Sequence, residues 1–249
     1  MRRLLFLPAL VAATSLGGCI SEARIAKAGT RVDLGIAYLN EKRPEAAVAT
    51  LREAVRLDPR NWRARAALAM AYAAKGEPEL ADESFQKALR LNPGEGEILV
   101  NYGAFLVAHA RAADAVPVLE KAREDLDYRN PAMVLSNLSL AYLESGNPEQ
   151  AVVHAREAVK RVPGLCPAWY HLGLAEEARG QVDAALAAYD TLTQTCPDEA
   201  IGGWLRAGCL MAHRGDSIGA DIALSHVVGH SAGTPLADEA RACLAQVGG

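Results

Sequence analysis

The chain has 249 residues, of which 51% are hydrophobic and only 5% aromatic, and its formal net charge is −4. This composition excludes a disordered or collagen-like chain and favours a large helical domain. The negative charge argues against a nucleic-acid-binding protein.

Residues 1–18 predict a lipoprotein signal peptide. A basic head is followed by an apolar run over residues 4–16, which is shorter than the ~20 residues that span a bilayer. The run ends in Leu16-Gly17-Gly18-Cys19, which resembles the bacterial lipobox, whose cysteine is lipidated and becomes the first mature residue. Cys19 is therefore the predicted lipidation site; the alternative is an ordinary signal peptide with a chance cysteine. Ile20 follows instead of the aspartate that often marks inner-membrane retention, so the resemblance implies an outer-membrane anchor facing the periplasm.

After a predicted lipidated tether over residues 19–29, one pattern repeats with a period near 34 residues. A small residue recurs in the first half of each unit, at Gly35, Ala69, Gly103, Ser139, Gly173 and Gly208. A small alanine recurs in the second half, at Ala47, Ala81, Ala115, Ala151, Ala185 and Ala220. Small side chains on facing helices let two backbones approach closely, and larger residues fill the gaps between units.

This pattern resembles the tetratricopeptide repeat, a helix–turn–helix unit that stacks into a solenoid. The resemblance implies an all-α, right-handed superhelical solenoid of about six repeats over residues 30–247. The predicted repeats cover about 28–61, 62–95, 96–131, 132–165, 166–199 and 201–234, with a capping helix at 236–247.

Four cysteines remain after Cys19, an even number in an oxidising compartment. Cys166 opens the first helix of the fifth repeat and Cys196 closes its second helix, so antiparallel packing should bring them together. Cys209 and Cys243 are 34 residues apart and occupy equivalent places on neighbouring helices. We therefore predict the pairs Cys166–Cys196 and Cys209–Cys243; the alternative is four free buried thiols.

No arrangement of residues indicates catalysis, a cofactor or a small-molecule substrate. His226 and His230 are four residues apart, as metal ligands on one helix face can be, but no third ligand lies near them in sequence. No serine has a nucleophile-elbow context, and no glycine-rich phosphate loop is present. The sequence predicts a protein that is not an enzyme and has no metal site.

The predicted inner curve of the solenoid is apolar. In tetratricopeptide solenoids the first helix of each unit faces the concave surface, and its register indicates which residues line the groove. These are Val32, Ile36, Leu39, Met70, Val100, Ala104, Val107, Leu140, Leu143 and Leu174. An uncovered apolar strip indicates a protein partner. The alternative is tighter curvature, in which the helices bury these residues against each other.

A lipobox followed by about six such repeats resembles the outer-membrane pilotin lipoproteins of type IV pili, the PilF/PilW family. The local matches are Leu34-Gly35-Ile36-Ala37-Tyr38-Leu39 and Asn101-Tyr102-Gly103-Ala104-Phe105-Leu106. Val100 and Val107 stand where many members have asparagine and cysteine. That departure, with four cysteines in the C-terminal half, is closer to the gliding-motility relative Tgl.

The resemblance implies a lipoprotein that binds secretin subunits and promotes their outer-membrane insertion and multimerisation for pilus assembly and pilus-dependent motility. A secretin protomer has membrane-destined apolar surface that needs cover, which an apolar groove could supply. The alternative function is a general periplasmic repeat scaffold that recruits cell-wall enzymes or proteases.

Overall fold

The computed structural model describes residues 21–125 and 127–247, which form thirteen α-helices and contain no strand. The helices are α1 (Glu22–Asn40), α2 (Pro44–Leu57), α3 (Trp62–Lys75), α4 (Pro78–Leu91), α5 (Gly96–Ala108), α6 (Ala112–Arg123), α7 (Pro131–Glu144), α8 (Pro148–Arg161), α9 (Cys166–Ala178), α10 (Val182–Thr195), α11 (Ile201–His213), α12 (Ser217–His230) and α13 (Pro235–Val247). The predicted all-α repeat solenoid is confirmed.

The helices pack in consecutive antiparallel pairs. Each odd-numbered helix from α1 to α11 contacts the helix that follows it, and each pair contacts the next pair. Within the described part of the chain, helices in contact are never more than two places apart in order. The fold is therefore a linear stack, and α13 closes its C-terminal end by packing on α11 and α12.

The second helix of a repeat buries one face and begins at a residue suited to a helix start. In α4 the buried residues Ala81, Phe85 and Ala88 recur at spacings of four and three, which places them on one side of the helix. Proline occupies the start of α2, α4 and α8, where its missing N–H has no helical partner to lose. The turn before the second helix takes positive φ in every repeat, at Lys42, Gly76, Ala110, Gly146, Gly180 and Gly215.

Glycine in the first helix allows the two helices of a repeat to touch. A Cβ on Gly173 would overlap the ring of Tyr189, and one on Gly35 would overlap the side chain of Leu51. Gly103 and Gly208 meet Leu119 and Leu224 in the same way. The period of small residues thus reflects direct contact between the first helix and the large residue opposite it.

Helix α1 begins earlier than the sequence indicated. We predicted a tether over residues 19–29, but the structure is helical from Glu22. Ala28 is fully buried, so this early part of α1 already packs against the stack. The negative charge of Glu22 in the first turn stabilises the positive end of the helix dipole. Gly29 within α1 makes no close contact, because a Cβ added there would meet open space. The predicted signal peptide over 1–18 and Cys19 lie outside the described residues.

Candidate partner-binding groove

Eight of the ten residues predicted for the groove keep at least part of their side chain in contact with solvent. Met70, which is 40% exposed, and Ala104 are the most open. The others are half-buried, namely Ile36, Leu39, Val107, Leu140, Leu143 and Leu174. We call these eight residues the groove wall. They come from the first helices α1, α3, α5, α7 and α9, so the wall runs along five successive repeats.

The prediction is wrong for Val32 and Val100, which are only 1% and 4% exposed. Val32 packs in one core cluster with Leu51 of α2 and Leu68 of α3. Its own partner helix and the next repeat therefore enclose it. Val100 is buried in the same way among residues of neighbouring helices. Val32 and Val100 lie one helical turn before the wall residues Ile36 and Ala104. From the sequence we had predicted that both turns line the groove.

The structure brings Ile36, Leu39 and Met70 together around one cavity of about 120 Å³ between α1, α3 and α5. Ala66 and Ala67, both buried, also line it. The remaining lining residues are Asn40, Arg63, Glu97 and Asn101. We call this space the N-terminal cavity. It is a recess with an apolar interior, of the kind that accepts an apolar side chain of a partner.

The polar residues of the N-terminal cavity were missed by the sequence analysis of the groove. Arg63 and Glu97 are both exposed and lie 34 residues apart, so they hold the same place in successive repeats. The period that identified the groove wall could therefore have located them. Arg63 adds a positive charge, Glu97 a negative charge and Asn101 a neutral amide beside the apolar recess. This combination suits a partner segment that carries polar as well as apolar side chains.

The inner surface becomes polar at the C-terminal end of α9, in the fifth repeat. Glu177 holds the same repeat position as Leu143, and its carboxylate pairs with the guanidinium of Arg206 on α11. Tyr189 of α10 donates its hydroxyl to the same carboxylate at 3.0 Å. Burial and the neighbouring Glu177 charge raise the pKa of Tyr189 above its ordinary value, so the hydroxyl stays a donor. The apolar surface thus extends from the first repeat to Leu174 and ends within the fifth repeat.

A buried polar contact ties α7 to α9 below the groove wall. The Nδ1 atom of His171 lies 2.9 Å from the backbone oxygen of Ser136 and 3.0 Å from its hydroxyl. Burial lowers the pKa of His171 to about 4, against the opposing effect of the bond to the Ser136 backbone. The imidazole is therefore neutral at pH 7 and donates through Nδ1 to the Ser136 carbonyl.

We expect the free energy of unfolding to fall as the pH is lowered from about 6.5 to about 4. In this window the unfolded His171 takes up a proton while the folded side chain stays neutral, so acid favours unfolding, by about 3 kcal/mol at most. A His171→Leu variant should show a flatter profile in urea titrations at successive pH values. Burial also lowers the pKa of His154, which should contribute to the slope that remains. An unchanged slope in the variant would contradict this origin.

His226 and His230, which were considered as possible metal ligands, stack against each other. The rings of His226 and His230 lie 4.0 Å apart between centroids, and Nδ1 of His230 donates to the backbone oxygen of His226 at 2.8 Å. Across residues 21–125 and 127–247 no group of three or more histidine, cysteine, aspartate or glutamate side chains could hold a metal ion.

No helix in these residues combines the length and apolarity needed to cross a bilayer.

The four cysteines lie at the C-terminal end of the stack in two disulfides. Cys166 at the start of α9 is joined to Cys196 just after α10, with a Cα–Cα distance of 6.0 Å. Cys209 on α11 is joined to Cys243 on α13, with a Cα–Cα distance of 5.4 Å. These are the two pairings that repeat geometry favoured. The second bond attaches the capping helix to the sixth repeat.

The chain is similar to known repeat proteins and to a pilus assembly protein. A family model described as the tetratricopeptide repeat matches residues 32–96 and 136–200, about half of the chain. The type IV pilus assembly protein PilF of Pseudomonas aeruginosa is 32% identical over 129 residues, which are 52% of this chain and 51% of that protein. The match thus spans about half the length of this relative.

Two solved structures resemble most of the chain. The structure of Pseudomonas aeruginosa PilF has a TM-score of 0.75 at 26% identity, covering 89% of this chain and 99% of that one. The structure of PilW, described as a widely conserved type IV pilus biogenesis factor, has a TM-score of 0.78 at 21% identity. It covers 85% of this chain and 96% of the PilW chain, and at this identity it supports the fold alone.

Proposed function

Because the chain belongs to the tetratricopeptide repeat family and is homologous to PilF, we propose that it is a pilotin, an outer-membrane lipoprotein that assembles the secretin of a type IV pilus. It binds secretin subunits and promotes their insertion and multimerisation, which pilus-dependent motility requires. It performs this role by binding, without catalysis. The observation that carries the proposal is the match to PilF along nearly the whole solved structure.

The groove wall supports this role physically. It presents partly exposed apolar side chains from five repeats, and the N-terminal cavity adds a recess large enough for a side chain. A secretin subunit on its way to the membrane exposes apolar surface until lipid and neighbouring subunits cover it. Apolar contact with the groove wall would remove part of that surface from water and oppose aggregation.

Attachment to the outer membrane through Cys19 is part of the same proposal. Several acyl chains on one cysteine hold a protein at a bilayer far more firmly than a single chain. The client and the helper would then meet at the membrane where the ring assembles. The two disulfides suit an oxidising compartment such as the periplasm.

Deletion of the gene tests the proposal. We expect the secretin to be made at normal levels but to remain as monomers, and the cells to lack pili. Heat-stable secretin multimers on denaturing gels provide the measurement, and the gene restored in trans provides the control. Normal multimers in the deletion strain would contradict the proposal.

Co-purification from envelopes separates this function from a general scaffold. With the lipidated protein as bait, we expect the secretin among the bound proteins. Recovery of cell-wall hydrolases or proteases instead would favour the scaffold. A bait carrying an aspartate in place of Met70 is the matched control, because contacts that depend on the groove wall should be lost from it.

A further inference from the structure

Charge is distributed unevenly along the stack. Residues 21–75, which contain α1, α2 and α3, have eleven lysines and arginines against six acidic residues, a net charge of +5. Residues 76–249 have thirteen against twenty-four, a net charge of −11. The overall negative charge therefore conceals a basic N-terminal end.

Most of this positive charge lies on one edge of the first two repeats. Antiparallel packing puts the start of α1, the end of α2 and the start of α3 on the same edge of the stack. The guanidinium of Arg24 reaches the backbone oxygen of Arg56 at 3.4 Å, and that of Arg65 reaches the oxygen of Pro59 at 3.0 Å. We call these cations the basic edge: Arg24, Lys27, Arg52, Arg56, Arg60, Arg63 and Arg65.

The charges of the basic edge are available to a partner. Six of the seven side chains are exposed, Arg65 being half-buried. None of the seven forms an ion pair within the described residues. The nearby Glu53 is engaged by Arg31 at 3.2 Å. Glu22 and Asp58 also lie at this edge, Glu95 and Glu97 lie near Arg63, and Glu83 lies near Arg65. The seven cations still outnumber these acids, and a patch with an excess of positive charge attracts polyanions.

The chain leads from this edge to the predicted lipid attachment. Cys19 is two residues before Ser21, the first described residue, and two residues of chain span at most about 7 Å. An acylated Cys19 would therefore bring the start of α1 to the headgroup layer. Ile25, one residue beyond Arg24, is 48% exposed and would meet the same layer.

We infer that the basic edge binds anionic phospholipid headgroups of the membrane that holds Cys19, and that this contact sets the orientation of the solenoid. The first repeat lies on the bilayer, while the acidic repeats beyond residue 75 are repelled by the same surface and extend away from it. The basic edge would thus add an electrostatic attachment to the membrane beside the proposed acyl chains on Cys19. A membrane is favoured over an acidic protein because the proposed attachment at Cys19 would bring this edge to the lipid surface.

Vesicle binding by the unlipidated protein tests this inference. The described fold lies within residues 21–247, so a chain beginning at Ile20 retains it. We expect this chain to bind vesicles of phosphatidylglycerol mixed with phosphatidylcholine, and to bind vesicles of phosphatidylcholine alone far more weakly. Binding should weaken as salt is raised, because exposed charges are screened over ~10 Å at 0.1 M.

Two charge-matched variants locate the contact. Arg24→Gln/Arg56→Gln/Arg60→Gln should bind anionic vesicles about a hundredfold more weakly, at about fivefold for each charge. The control takes three exposed arginines from later in the chain, Arg129→Gln/Arg214→Gln/Arg241→Gln. It has the same net charge and should bind within about twofold of the parent.

Equal weakening by both triple variants, equal binding to both kinds of vesicle, or no binding to either would overturn the inference. The orientation of the protein in cells rests on the proposed attachment at Cys19. The vesicle assay contains neither an acyl chain nor a secretin, so its failure would leave the secretin proposal standing. Failure of secretin assembly to depend on the protein would likewise leave vesicle binding intact.

Discussion

Replacing Met70 with aspartate is expected to reduce secretin multimers in cells by about tenfold or more. Met70 is 40% exposed on the groove wall and lines the N-terminal cavity with Ile36 and Leu39. A carboxylate there must lose its water to admit an apolar client segment, which is unfavourable without a compensating partner. Because the side chain is already open to solvent, the fold should tolerate the change. Far-ultraviolet circular dichroism and thermal unfolding check that the helices remain.

Leu80→Asp is the matched control for Met70→Asp. Leu80 lies in the same repeat and is 42% exposed, but it belongs to the second helix α4 and is not among the residues that line the N-terminal cavity. The two variants therefore make the same change of charge at nearly the same exposure. Normal multimers with Leu80→Asp and few with Met70→Asp would assign the function to the groove wall. Equal effects of both substitutions would reject the groove wall as the binding site.

Removal of either disulfide is expected to destabilise the C-terminal repeats by about 3–4 kcal/mol. The bonds close segments with sequence separations of 30 and 34 residues, so both restrict the unfolded chain to a similar extent. For Cys209→Ala/Cys243→Ala the loss should appear first in α13, which contacts only α11 and α12. Amide hydrogen exchange, helix by helix, is the suitable measurement because a stack of repeats need not unfold in one step.

The second cysteine pair supplies the comparison. Cys166→Ala/Cys196→Ala should lower protection in α9 and α10, with a smaller effect on α13. Treating each variant with a reductant should then affect only the bond that remains. If reduction of the parent protein left the exchange rates of α9, α10, α11 and α13 unchanged, the disulfides would have no stabilising role.

The repeat period was enough to predict the architecture. Small residues such as Gly35 and Gly173 recur because the opposite helix touches them, so a regular spacing in sequence corresponds to a regular contact in space. The cysteine pairs followed from the same regularity. The start of one helix lies beside the end of its antiparallel partner, as for Cys166 and Cys196, and equivalent places one period apart lie on neighbouring helices, as for Cys209 and Cys243.

The groove was predicted less completely, because a period alone does not determine side-chain depth. Val32 and Ile36 are one turn apart on α1, yet Val32 is buried between α2 and α3 and Ile36 is partly open. Which of the two faces outward depends on the tilt between successive repeats. The polar residues Arg63 and Glu97 were overlooked for another reason: the search for an apolar surface examined only apolar positions.

Both covalent crosslinks lie beyond residue 165, while the N-terminal cavity lies within the first three repeats. Since each helix touches only its near neighbours, the stabilisation these bonds provide fades toward the other end. The first three repeats are thus held together by packing, without a crosslink among the described residues. We therefore expect the repeats proposed to receive the client to adjust their spacing to segments of different bulk, while the crosslinked repeats keep theirs.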